Sequence, residues 1–574
     1  MMLREKHLQK LADIVGEDYF SAEGYMTNLY SHDIAALPGI VNDMIDVHAE
    51  AVAQPTTSEV VSNLLKYCKQ NNIQVTPRGH GTSGYGGALP TEGGLVVEMT
   101  RMNKIYNIDK ASMTIEIGAG IIWGRLIEFL EDEGLAVPAY PSSAPSCTVG
   151  GWIAAGGSGI GSTKYGGIRE QVVEMEVVLP DGTIIRTSEP EDALLDEEKP
   201  EPFFKGDESF YWESEESLHP KKESTSLFVD SNGALGIITK VVMKVIPLRS
   251  IKPLTISFPN KEQTIGAMQA ILRITRPFYL HFITDEFYGM LQEVDKAPDT
   301  AGKWLVLCAL EGTDDENNDA ADKIVSAMSM FQGTVESEEI SHHEWDERFY
   351  PLRMKRLGPS IAPSEVYVPL NKMIDFMDHC DKHFKGERMA MEGAVNHLNE
   401  VAVLAWFLDD ERRRIPFLFG WYRSLDVINL GIKNGGRPYS IGMWNVALAR
   451  SYYGKEEYTK IAKLKHKTDS KSYLNSHKVF PGPLYLSTRM GLLIMLAAAV
   501  AVPIGIIFAW WLVPSLISSF VPWVVVNSPA TFLLWALVGL GVGFAAQEVV
   551  NLVPISVVLS MGLPFLRLGR KIFH

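Results

Sequence analysis

The sequence predicts an α+β protein with two soluble domains and an apolar C-terminal segment. Three features of the 574-residue chain support this prediction. Glycine-rich stretches lie within the first 250 residues, between segments that have helix and strand patterns. Residues 251–430 alternate apolar strand-like runs with amphipathic helix-like runs. From residue 490 to residue 566 the only charged residue is Glu548.

The first glycine-rich stretch, PRGHGTSGYGGALP, occupies residues 77–90. A helix with Thr57 or Ser58 as N-cap and a short strand precede it, and the strand GGLVVEMTRM follows it. Glycines in a turn between ordered elements let backbone N–H groups converge on one point and bind an anion. The stretch is neither a P-loop nor a Rossmann loop, and a plain glycine-rich turn stays an open alternative.

A second glycine cluster, PSSAPSCTVGGWIAAGGSGIGSTKYGGI, spans residues 141–168. The segment VVEMEVVLPDGTIIRT after it predicts a hairpin around Asp181 and Gly182. A third element, LFVDSNGALGIITKVVMKVIP at residues 227–247, places a turn before another strand. Three such turns favour a bound phosphate-containing ligand over three unrelated loops.

The order P-R-G-x-G-T-S, S-x-T-V-G-G, K-Y-G, V-V-L-P-D-G and G-x-L-G-I-I-T resembles the FAD-binding domain of the vanillyl-alcohol oxidase (PCMH-type) superfamily. Within it, the chain is similar to the branch that contains glycolate oxidase and D-lactate dehydrogenase. The resemblance implies a two-subdomain FAD-binding domain at residues 1–250 and an α+β cap, or substrate, domain at 251–430. Residues 431–486 would return to the FAD domain. Residues 487–574 depart from the family pattern, and their apolar composition predicts transmembrane helices as a membrane anchor.

The resemblance also implies which residues hold FAD. The first loop would bind the pyrophosphate, the second would approach the pyrophosphate and the flavin ring, and the third would lie beside the adenine ribose or the flavin edge. The implied cofactor residues are Arg78, Gly79, His80, Gly81, Thr82, Ser83, Ser146, Cys147, Thr148, Gly150, Gly151, Ala154, Gly157, Ser158, Gly236, Ile237 and Asn475.

Some relatives attach the flavin covalently through a histidine of the first loop or a cysteine of the second. Here Thr82 stands at the attachment position, two residues beyond His80, and Cys147 is one residue out of register. The resemblance therefore implies FAD that is bound without a covalent link.

Candidate catalytic residues come from the cap and the segment after it. Trp345 and Arg348 match a W-x-x-R pattern whose arginine can pair with a substrate carboxylate, and Arg353 is the alternative. A surface arginine on a polar helix is the other interpretation of both. In GGRPYSIGMW, Arg437 could stabilise charge on the reduced ring and Tyr439 could act as an acid or base.

The histidine-rich metal site of the hydroxy-acid dehydrogenases in this branch is not preserved. Their H-x-G-D-G-N-x-H and E-H-G-x-G motifs correspond here to EGAVNHLNEVAVLAWFLDDE and GGRPYSIGMWN. His397 and Asn396 remain nearby, but the paired histidine spacing is lost. We therefore expect no catalytic metal, and a small 2-hydroxy-acid substrate becomes less certain.

The charge and cysteine content bear on which metal clusters, disulfides and macromolecular partners the chain could have. The four cysteines include no close pair, which argues against an iron–sulfur cluster, a zinc knuckle or a disulfide framework. The net charge of -16 disfavours nucleic-acid binding. Residues 189–226, an insertion relative to the family, carry 13 acidic residues and 4 lysines, a net charge of -9. This acidic insertion is either a solvated flap or a docking segment for a basic partner protein.

The C-terminal segment predicts membrane helices. Residues 490–513 form a run of 24 residues without a charge, and residues 530–547 and 549–566 are further apolar stretches. Residues 460–489 hold seven basic residues and one acid, and the tail RLGRKIFH is also basic. Because positive flanks stay in the cytoplasm, we expect a two-helix hairpin in the cytoplasmic (inner) membrane and a catalytic domain that faces the cytoplasm.

Together these observations predict a membrane-anchored FAD-dependent dehydrogenase. It would oxidise a 2-hydroxy acid or related alcohol and pass electrons to quinone or a partner redox protein. Two alternatives stay open: a flavoenzyme that acts on a lipid-like substrate such as a sterol or polyprenyl-linked sugar, and a non-catalytic flavoprotein component of a membrane redox complex. A cap pocket with an arginine would favour the dehydrogenase over the non-catalytic component.

Overall fold

In a computed structural model, residues 3–34, 38, 47–188, 225–294 and 296–480 are described. The predicted membrane helices and nearly all of the acidic insertion lie outside the described residues. Among the helices that are described, none is both long enough and apolar enough to cross a bilayer.

The N-terminal subdomain has a four-stranded sheet in the order β1-β2-β4-β3. As the sequence predicts, the Thr57 side chain caps the helix before β3 by accepting the N–H of Val60. Its strands are β1 (Phe20–Ser21), β2 (Ala51–Ala53), β3 (Val75–Arg78) and β4 (Leu95–Glu98), and its helices are α1 (Glu5–Val15), α2 (Gly24–Tyr30) and α3 (Ser58–Asn71). Strands β3 and β4 pair in parallel, so the first glycine-rich stretch is the connection between two neighbouring strands.

The second subdomain has a five-stranded antiparallel sheet in the order β5-β6-β10-β8-β9. Strands β8 and β9 form the predicted hairpin, in which Gly182 adopts a positive φ of 84°. The strands here are β5 (Ile105–Asp109), β6 (Thr114–Gly118), β7 (Leu135–Ala136), β8 (Val172–Val178), β9 (Ile184–Arg186), β10 (Ile237–Lys244) and β11 (Ile246–Pro247). The helices are α4 (Trp123–Asp132), α5 (Val149–Ala155), α6 (Ser162–Tyr165), α7 (Ile168–Gln171) and α8 (Thr225–Phe228).

The cap is built on an eight-stranded sheet in the order β15-β12-β14-β13-β17-β18-β16-β19. Its strands are β12 (Ser250–Phe258), β13 (Tyr279–Ile283), β14 (Trp304–Gly312), β15 (Thr334–Val335), β16 (Ser360–Pro369), β17 (Met389–Val395), β18 (Glu400–Asp409) and β19 (Arg437–Pro438). Its helices are α9 (Lys261–Ile274), α10 (Asp285–Glu293), α11 (Asp314–Met328), α12 (Glu338–Asp346), α13 (Met373–His383) and α14 (Arg414–Lys433). The α+β class is confirmed, while the four-part division of the chain stays a prediction.

The two faces of the cap sheet have different surroundings because side chains alternate along each strand. On β16, Ala362, Val366 and Val368 join an apolar core with residues of helices α9, α11 and α13. The residues between them, including Pro363 and Glu365, line a cavity on the opposite face. One face of the sheet therefore packs against the cap helices, and the other face is open to the cavity.

After the cap, the chain returns to the first subdomain through three helices, α15 (Gly442–Asn445), α16 (Ala449–Tyr453) and α17 (Lys455–Thr468). The buried Lys465 ammonium donates to Asp469 at 2.6 Å and to the carbonyl oxygens of Ala234 and Leu474 at 2.8 and 2.7 Å. Leu474 then bridges to Val75 at the edge of β3. These bonds fix the residues around 475 beside the first and third loops.

Candidate flavin and substrate site

One cavity of about 1000 Å³ lies between the glycine-rich loops and the exposed face of the cap sheet. Its loop wall includes all three glycine-containing turns predicted from the sequence. Its cap wall includes residues of β16 and β18 and the 3₁₀ segments Glu347–Phe349 and Pro351–Leu357. The volume is at the upper end of the usual range for ligand sites, as a large cofactor with a substrate requires.

The first loop leaves its backbone open toward this cavity. Within the described part of the chain, the backbone N–H groups of residues 80–83 have no hydrogen-bond acceptor. A Cβ on Gly79 would overlap the Thr148 hydroxyl of the second loop, so glycine is required for the two loops to meet. Arg78 also lines the cavity, and its guanidinium donates to the carbonyl of His32 at 2.6 Å. Unpaired N–H groups beside a guanidinium form a suitable site for a pyrophosphate.

The second loop continues into helix α5. The Thr148 hydroxyl accepts the N–H of Gly151 and begins this helix. After the helix, a Cβ on Gly157 would overlap the indole of Trp152, which packs against Trp123 with ring centroids 5.2 Å apart. The chain is therefore held close to its own helix, and bare backbone faces the cavity from Ser146 to Ser158.

The third loop contributes Asn232, Gly233 and Gly236 to the cavity wall. Asn475 joins it to the first loop, because its side-chain N–H₂ donates to the carbonyl oxygens of Gly87 at 3.0 Å and Asn232 at 2.5 Å. The buried Oδ1 of Asn475 has no partner among the described residues. Asn475 is thus placed beside the cavity and holds two of its loops together.

Every predicted cofactor residue except Asn475 lines this one cavity. The combination of open N–H groups, glycine contacts and a neighbouring guanidinium fits FAD, whose pyrophosphate is anionic and whose ring is flat. The three turns come from well-separated parts of the chain, so their convergence depends on the fold and not on one local motif.

The two side chains that could attach a flavin, Cys147 and His80, both line the cavity and have protein contacts of their own. Cys147 is buried, and burial raises the pKa of its thiol, which disfavours the reactive thiolate. The His80 ring nitrogen Nδ1 bonds to the carbonyl of Ser146 at 2.6 Å. These contacts support the prediction of non-covalent FAD.

The purified protein should release its FAD on acid or heat denaturation. The expected result is all flavin in the supernatant after the polypeptide has been precipitated, with one FAD per chain. Flavin fluorescence that stays with the denatured polypeptide on a gel would contradict this expectation. A Cys147→Ser variant would then distinguish attachment at Cys147 from attachment at His80.

A smaller cavity of about 120 Å³ adjoins the large one beneath the cap sheet. Glu365, Arg353 and Tyr439 line both cavities. Its inner wall carries His281 and Glu392, which form an ion pair at 3.2 Å with both side chains almost buried. The Tyr279 ring stacks on His281 with centroids 5.3 Å apart. The smaller cavity is therefore polar and suits a small polar group.

The two arginines predicted to bind substrate both reach the smaller cavity, but each already has protein partners. Arg348 donates to the carbonyl of Trp345 at 2.7 Å, and its guanidinium lies 4.0 Å from the Trp345 ring centroid. Arg353 pairs with Glu347 at 3.1 Å and lies 3.9 Å from Glu344. The buried Nε of Arg353 has no acceptor among the described residues.

Tyr439 lines the large cavity, whereas Arg437 does not. Arg437 is buried behind the cavity, where it pairs with Glu400 at 3.0 Å and lies 3.9 Å from the Tyr367 ring centroid. It is not among the residues that line the cavity, so it lies behind the wall of the space proposed for the flavin. The Tyr439 hydroxyl lines the cavity, but it donates to the carbonyl of Ser158 at 2.7 Å and accepts the Ser158 N–H at 2.9 Å. Tyr439 thus positions the second loop against the cap.

His397 lies in the turn between β17 and β18, away from both cavities. Its Nε2 is 3.9 Å from Glu170, and the neighbouring Asn396 side chain accepts the N–H groups of Leu398 and Glu400 in that turn. In the described ranges no group of three or more histidine, cysteine, aspartate or glutamate side chains is arranged to hold a metal ion. His397 therefore belongs to a hairpin turn.

Four cavity residues that the fold brings together were missed by the sequence motifs: Tyr85, His281, Glu365 and Glu392. The Tyr85 hydroxyl of the first loop donates to Glu365 at 2.8 Å, although the two residues are 280 positions apart. Burial raises the pKa of Glu365 to about 7. A signal was present, since a lone carboxylate within the apolar strand SIAPSEVYVP is unusual.

Comparison with known proteins supports FAD as the cofactor. Residues 49–188 match the model of an FAD binding domain. The chain is 28% identical over 387 residues to the glycolate oxidase subunit GlcD of Bacillus subtilis, covering 66% of this chain and 75% of that protein. It is 24% identical over 531 residues to the alkyldihydroxyacetonephosphate synthase of Trypanosoma brucei brucei, covering 84% and 82%.

Among solved structures, p-cresol methylhydroxylase with substrate bound superposes with a TM-score of 0.62 and 16% identity, covering 82% of this chain and 96% of that one. This likeness shows the fold, and the matched FAD binding domain contains the first and second loops. The chain is an FAD-linked oxidoreductase that binds FAD on a PCMH-type fold.

Proposed function

We propose that this chain oxidises a hydroxylated substrate, a 2-hydroxy acid or related alcohol, in the cavity between the FAD loops and the cap sheet. The observation that supports this most is that one cavity is walled by all three glycine-containing loops and by polar cap residues. A cofactor on the loops and a substrate under the cap would then be in contact. The relationship to a glycolate oxidase subunit supports a hydroxy acid as the substrate class.

When bound, FAD supplies the acceptor for the hydrogen and the electron pair that leave a substrate C–H bond. The chain's own contribution is to hold the cofactor and the substrate in position and to exclude water. Arg78 and the N–H groups of residues 80–83 would hold the pyrophosphate, and residues from Ser146 to Ser158 would face the ring. Tyr439 fixes the second loop against the cap through its two bonds with Ser158.

The smaller cavity supports a compact polar substrate group. At about 120 Å³ it has room for several water-sized groups, enough for a carboxylate with the carbon atoms next to it. Arg353 and Arg348 both line this cavity, and each carries a guanidinium that could face a carboxylate. Because Glu347 already neutralises part of the Arg353 charge, a substrate carboxylate would share this arginine with Glu347.

Anaerobic mixing of the FAD-bound protein with a panel of hydroxy acids, alcohols and lipids tests the proposal. The expected result is loss of the oxidised-flavin absorption with at least one hydroxy acid or small alcohol. Chiral pairs in the panel would also show which hydrogen is removed. Reduction by dithionite but by no hydroxylated compound would contradict the proposal.

A lipid-like substrate is the second candidate. The relative whose similarity covers 84% of this chain is an alkyldihydroxyacetonephosphate synthase, and the compound in that name carries an alkyl group. Apolar side chains such as Ile34, Leu352, Ile361 and Trp406 also line the large cavity. Flavin reduction, or product formation without net reduction, by long-chain substrates alone would favour this candidate.

The proposal extends to the membrane. Residues 487–574 would anchor the chain in the cytoplasmic membrane, with the catalytic domain on the cytoplasmic side, and electrons would pass to quinone or to a partner redox protein. The low charge of residues 490–566 and their basic flanks support this anchor. The acidic insertion would offer a docking segment to a basic partner.

Truncation after Leu486 should release a soluble protein that still binds FAD, since every cavity residue and Asn475 precede that position. Flavin reduction by the substrate should keep its rate, while electron transfer to a membrane quinone should be lost. The full-length protein in lipid vesicles is the control. A truncated protein that reduces quinone at the full-length rate would contradict the membrane role.

A further inference from the structure

We infer that Glu365 is the catalytic base that takes the proton from the substrate hydroxyl, and that Tyr85 sets its orientation. This inference rests on the proposed oxidation of a hydroxylated substrate. It deepens that proposal by assigning the proton to Glu365 in place of Tyr439, whose hydroxyl is bonded to the Ser158 N–H and carbonyl. Glu365 lines both cavities, so it lies where the large cavity proposed for FAD meets the smaller cavity.

The position of Glu365 follows from strand register. On β16 its neighbours Ser364 and Val366 are buried, so Glu365 is on the cavity face of the sheet. In the adjacent strands, Leu404 pairs with Glu365 and also with Glu392, which places these residues in one row across three strands. Glu365 and Glu392 are therefore two strand spacings, about 10 Å, apart along the sheet.

Glu365 keeps a free oxygen for a substrate. The Tyr85 hydroxyl donates to Oε2 at 2.8 Å, and Oε1 lies outside that bond. The backbone carbonyl of Glu365 accepts the N–H of Tyr439 at 3.3 Å, which fixes the strand against the segment that contacts the second loop. A carboxylate with one oxygen held by a buried tyrosine and the other in a cavity is suited to accept a proton.

The titratable groups that surround Glu365 are not suited to act as the base. Tyr85, Tyr367 and Tyr439 surround it on the loop side, and burial raises the pKa of each of the three. Their hydroxyls therefore stay protonated at neutral pH and serve as donors.

The other polar groups across the smaller cavity have partners of their own. The His281 Nε2 lies 3.2 Å from the Glu392 carboxylate, and Arg353 pairs with Glu347 and lies close to Glu344. Arg348 bonds to the Trp345 carbonyl and to the Tyr140 hydroxyl. Burial and the charge of Glu392 raise the pKa of Glu365 to about 7, so near neutral pH it can both accept a proton and release it.

The proposed oxidation breaks the O–H and C–H bonds of the substrate and forms a C=O bond. The substrate O–H bond breaks and its proton passes to the Glu365 carboxylate, while a C=O bond forms. The C–H bond breaks, and its hydrogen leaves with the electron pair for the acceptor that FAD supplies. The substrate is thereby oxidised by two electrons. Protonated Glu365 then loses its proton before the next turnover.

Glu365→Gln tests the inference through the rate constant of anaerobic flavin reduction at a series of pH values. For the wild type, the rate constant should rise with pH through about 7, because the base acts only when deprotonated. In Glu365→Gln the rate constant should fall by a factor of about 10² to 10⁴ and lose this inflection. Glu365→Asp should keep the inflection at a reduced rate.

Glu311→Gln is the matched control. Glu311 is also a buried carboxylate that accepts a tyrosine hydroxyl, from Tyr165 at 2.5 Å, but it lines neither cavity. Its flavin reduction should keep the wild-type pH profile. Tyr85→Phe is a further test. Because the hydrogen bond from Tyr85 lowers the Glu365 pKa, its loss should move the inflection in the flavin-reduction rate to higher pH.

Infrared difference spectra of the FAD-bound protein give a readout that does not depend on turnover. The carbonyl band of a protonated carboxyl group should titrate near pH 7 in the wild type and be missing in Glu365→Gln. If no hydroxylated compound reduces the flavin, this titration still reports on Glu365, and the proposed function alone has failed. A wild-type pH profile in Glu365→Gln, or an unmoved inflection in Tyr85→Phe, would overturn the inference.

Discussion

Gly79→Val is expected to weaken FAD binding about 10- to 100-fold, because overpacking of this kind costs roughly 1–3 kcal/mol. A Cβ at this position would overlap the Thr148 hydroxyl, so the first and second loops would have to separate. The separation would move the N–H groups of residues 80–83 away from the pyrophosphate. Titration of the apoprotein with FAD, followed by flavin fluorescence, measures the change.

Gly289→Ala is the matched control for this substitution. Gly289 lies in helix α10, and a Cβ there would have no neighbour within 4 Å. Alanine in a helix should stabilise the protein by about 0.5–1 kcal/mol and leave FAD affinity unchanged. Equal FAD affinity in Gly79→Val and the wild type would show that the first loop does not contact the cofactor.

Arg423→Met should lower the free energy of unfolding by about 3–5 kcal/mol, the largest stability effect that we expect in the cap. Arg423, in helix α14, forms an ion pair with Asp409 at the end of β18, and each side chain is only 6% exposed. Its guanidinium also bonds to the carbonyl of Gly420 at 2.8 Å and to Glu387 at 3.2 Å. Methionine would leave the Asp409 carboxylate buried beside an apolar side chain. Urea unfolding of the FAD-bound protein measures the loss.

Two further variants separate the loss of a buried pair from a general effect of removing an arginine. Arg388→Met removes an arginine that is 49% exposed and pairs with Glu286 and Glu293, and it should cost less than about 1 kcal/mol. In the double variant Arg423→Met with Asp409→Leu, the buried Asp409 charge is removed together with its partner, and Glu387 is partly exposed, so most of the stability should return. Equal losses for Arg423→Met and Arg388→Met would contradict this account of the cap.

The cofactor loops could be predicted from the sequence because their signal is local. Close contacts such as Gly79 against Thr148 and Gly157 against Trp152 leave no room for a side chain. These positions must therefore be glycine, and the glycines are visible in the sequence. The helix before the first loop was also predictable, since Thr57 caps it through a contact three residues away. Local geometry constrains residue type, so it can be recognised without the fold.

The substrate side could not be predicted in the same way. Glu365 bonds to Tyr85 across 280 positions, and the pairing of three strands places it in the same row of the sheet as Glu392. Strand order and register decide these contacts, and a one-residue shift would turn Glu365 toward the cap core. Only the presence of a carboxylate in an apolar strand was visible beforehand.

Arg437 illustrates the same limit. Its place in the chain suggests a partner of the flavin, yet strand pairing sets it opposite Tyr367, where it bonds with Glu400. Tyr439, two residues later, is the residue that reaches the cavity. The local sequence pointed to a segment that reaches the cavity wall, and the pairing of the short strand β19 decided which of its side chains lines the cavity.

Amide hydrogen exchange of the apoprotein with and without FAD tests the central claim most directly: one cavity, walled by three loops and the cap sheet, holds the cofactor. FAD should slow exchange in peptides that cover residues 79–88, 146–158 and 232–238, with a smaller effect on strand β16. Helices α9 and α11, on the opposite face of the cap sheet, should exchange at the same rate in both samples. Protection confined to the cap, or absent from the first loop, would contradict the account.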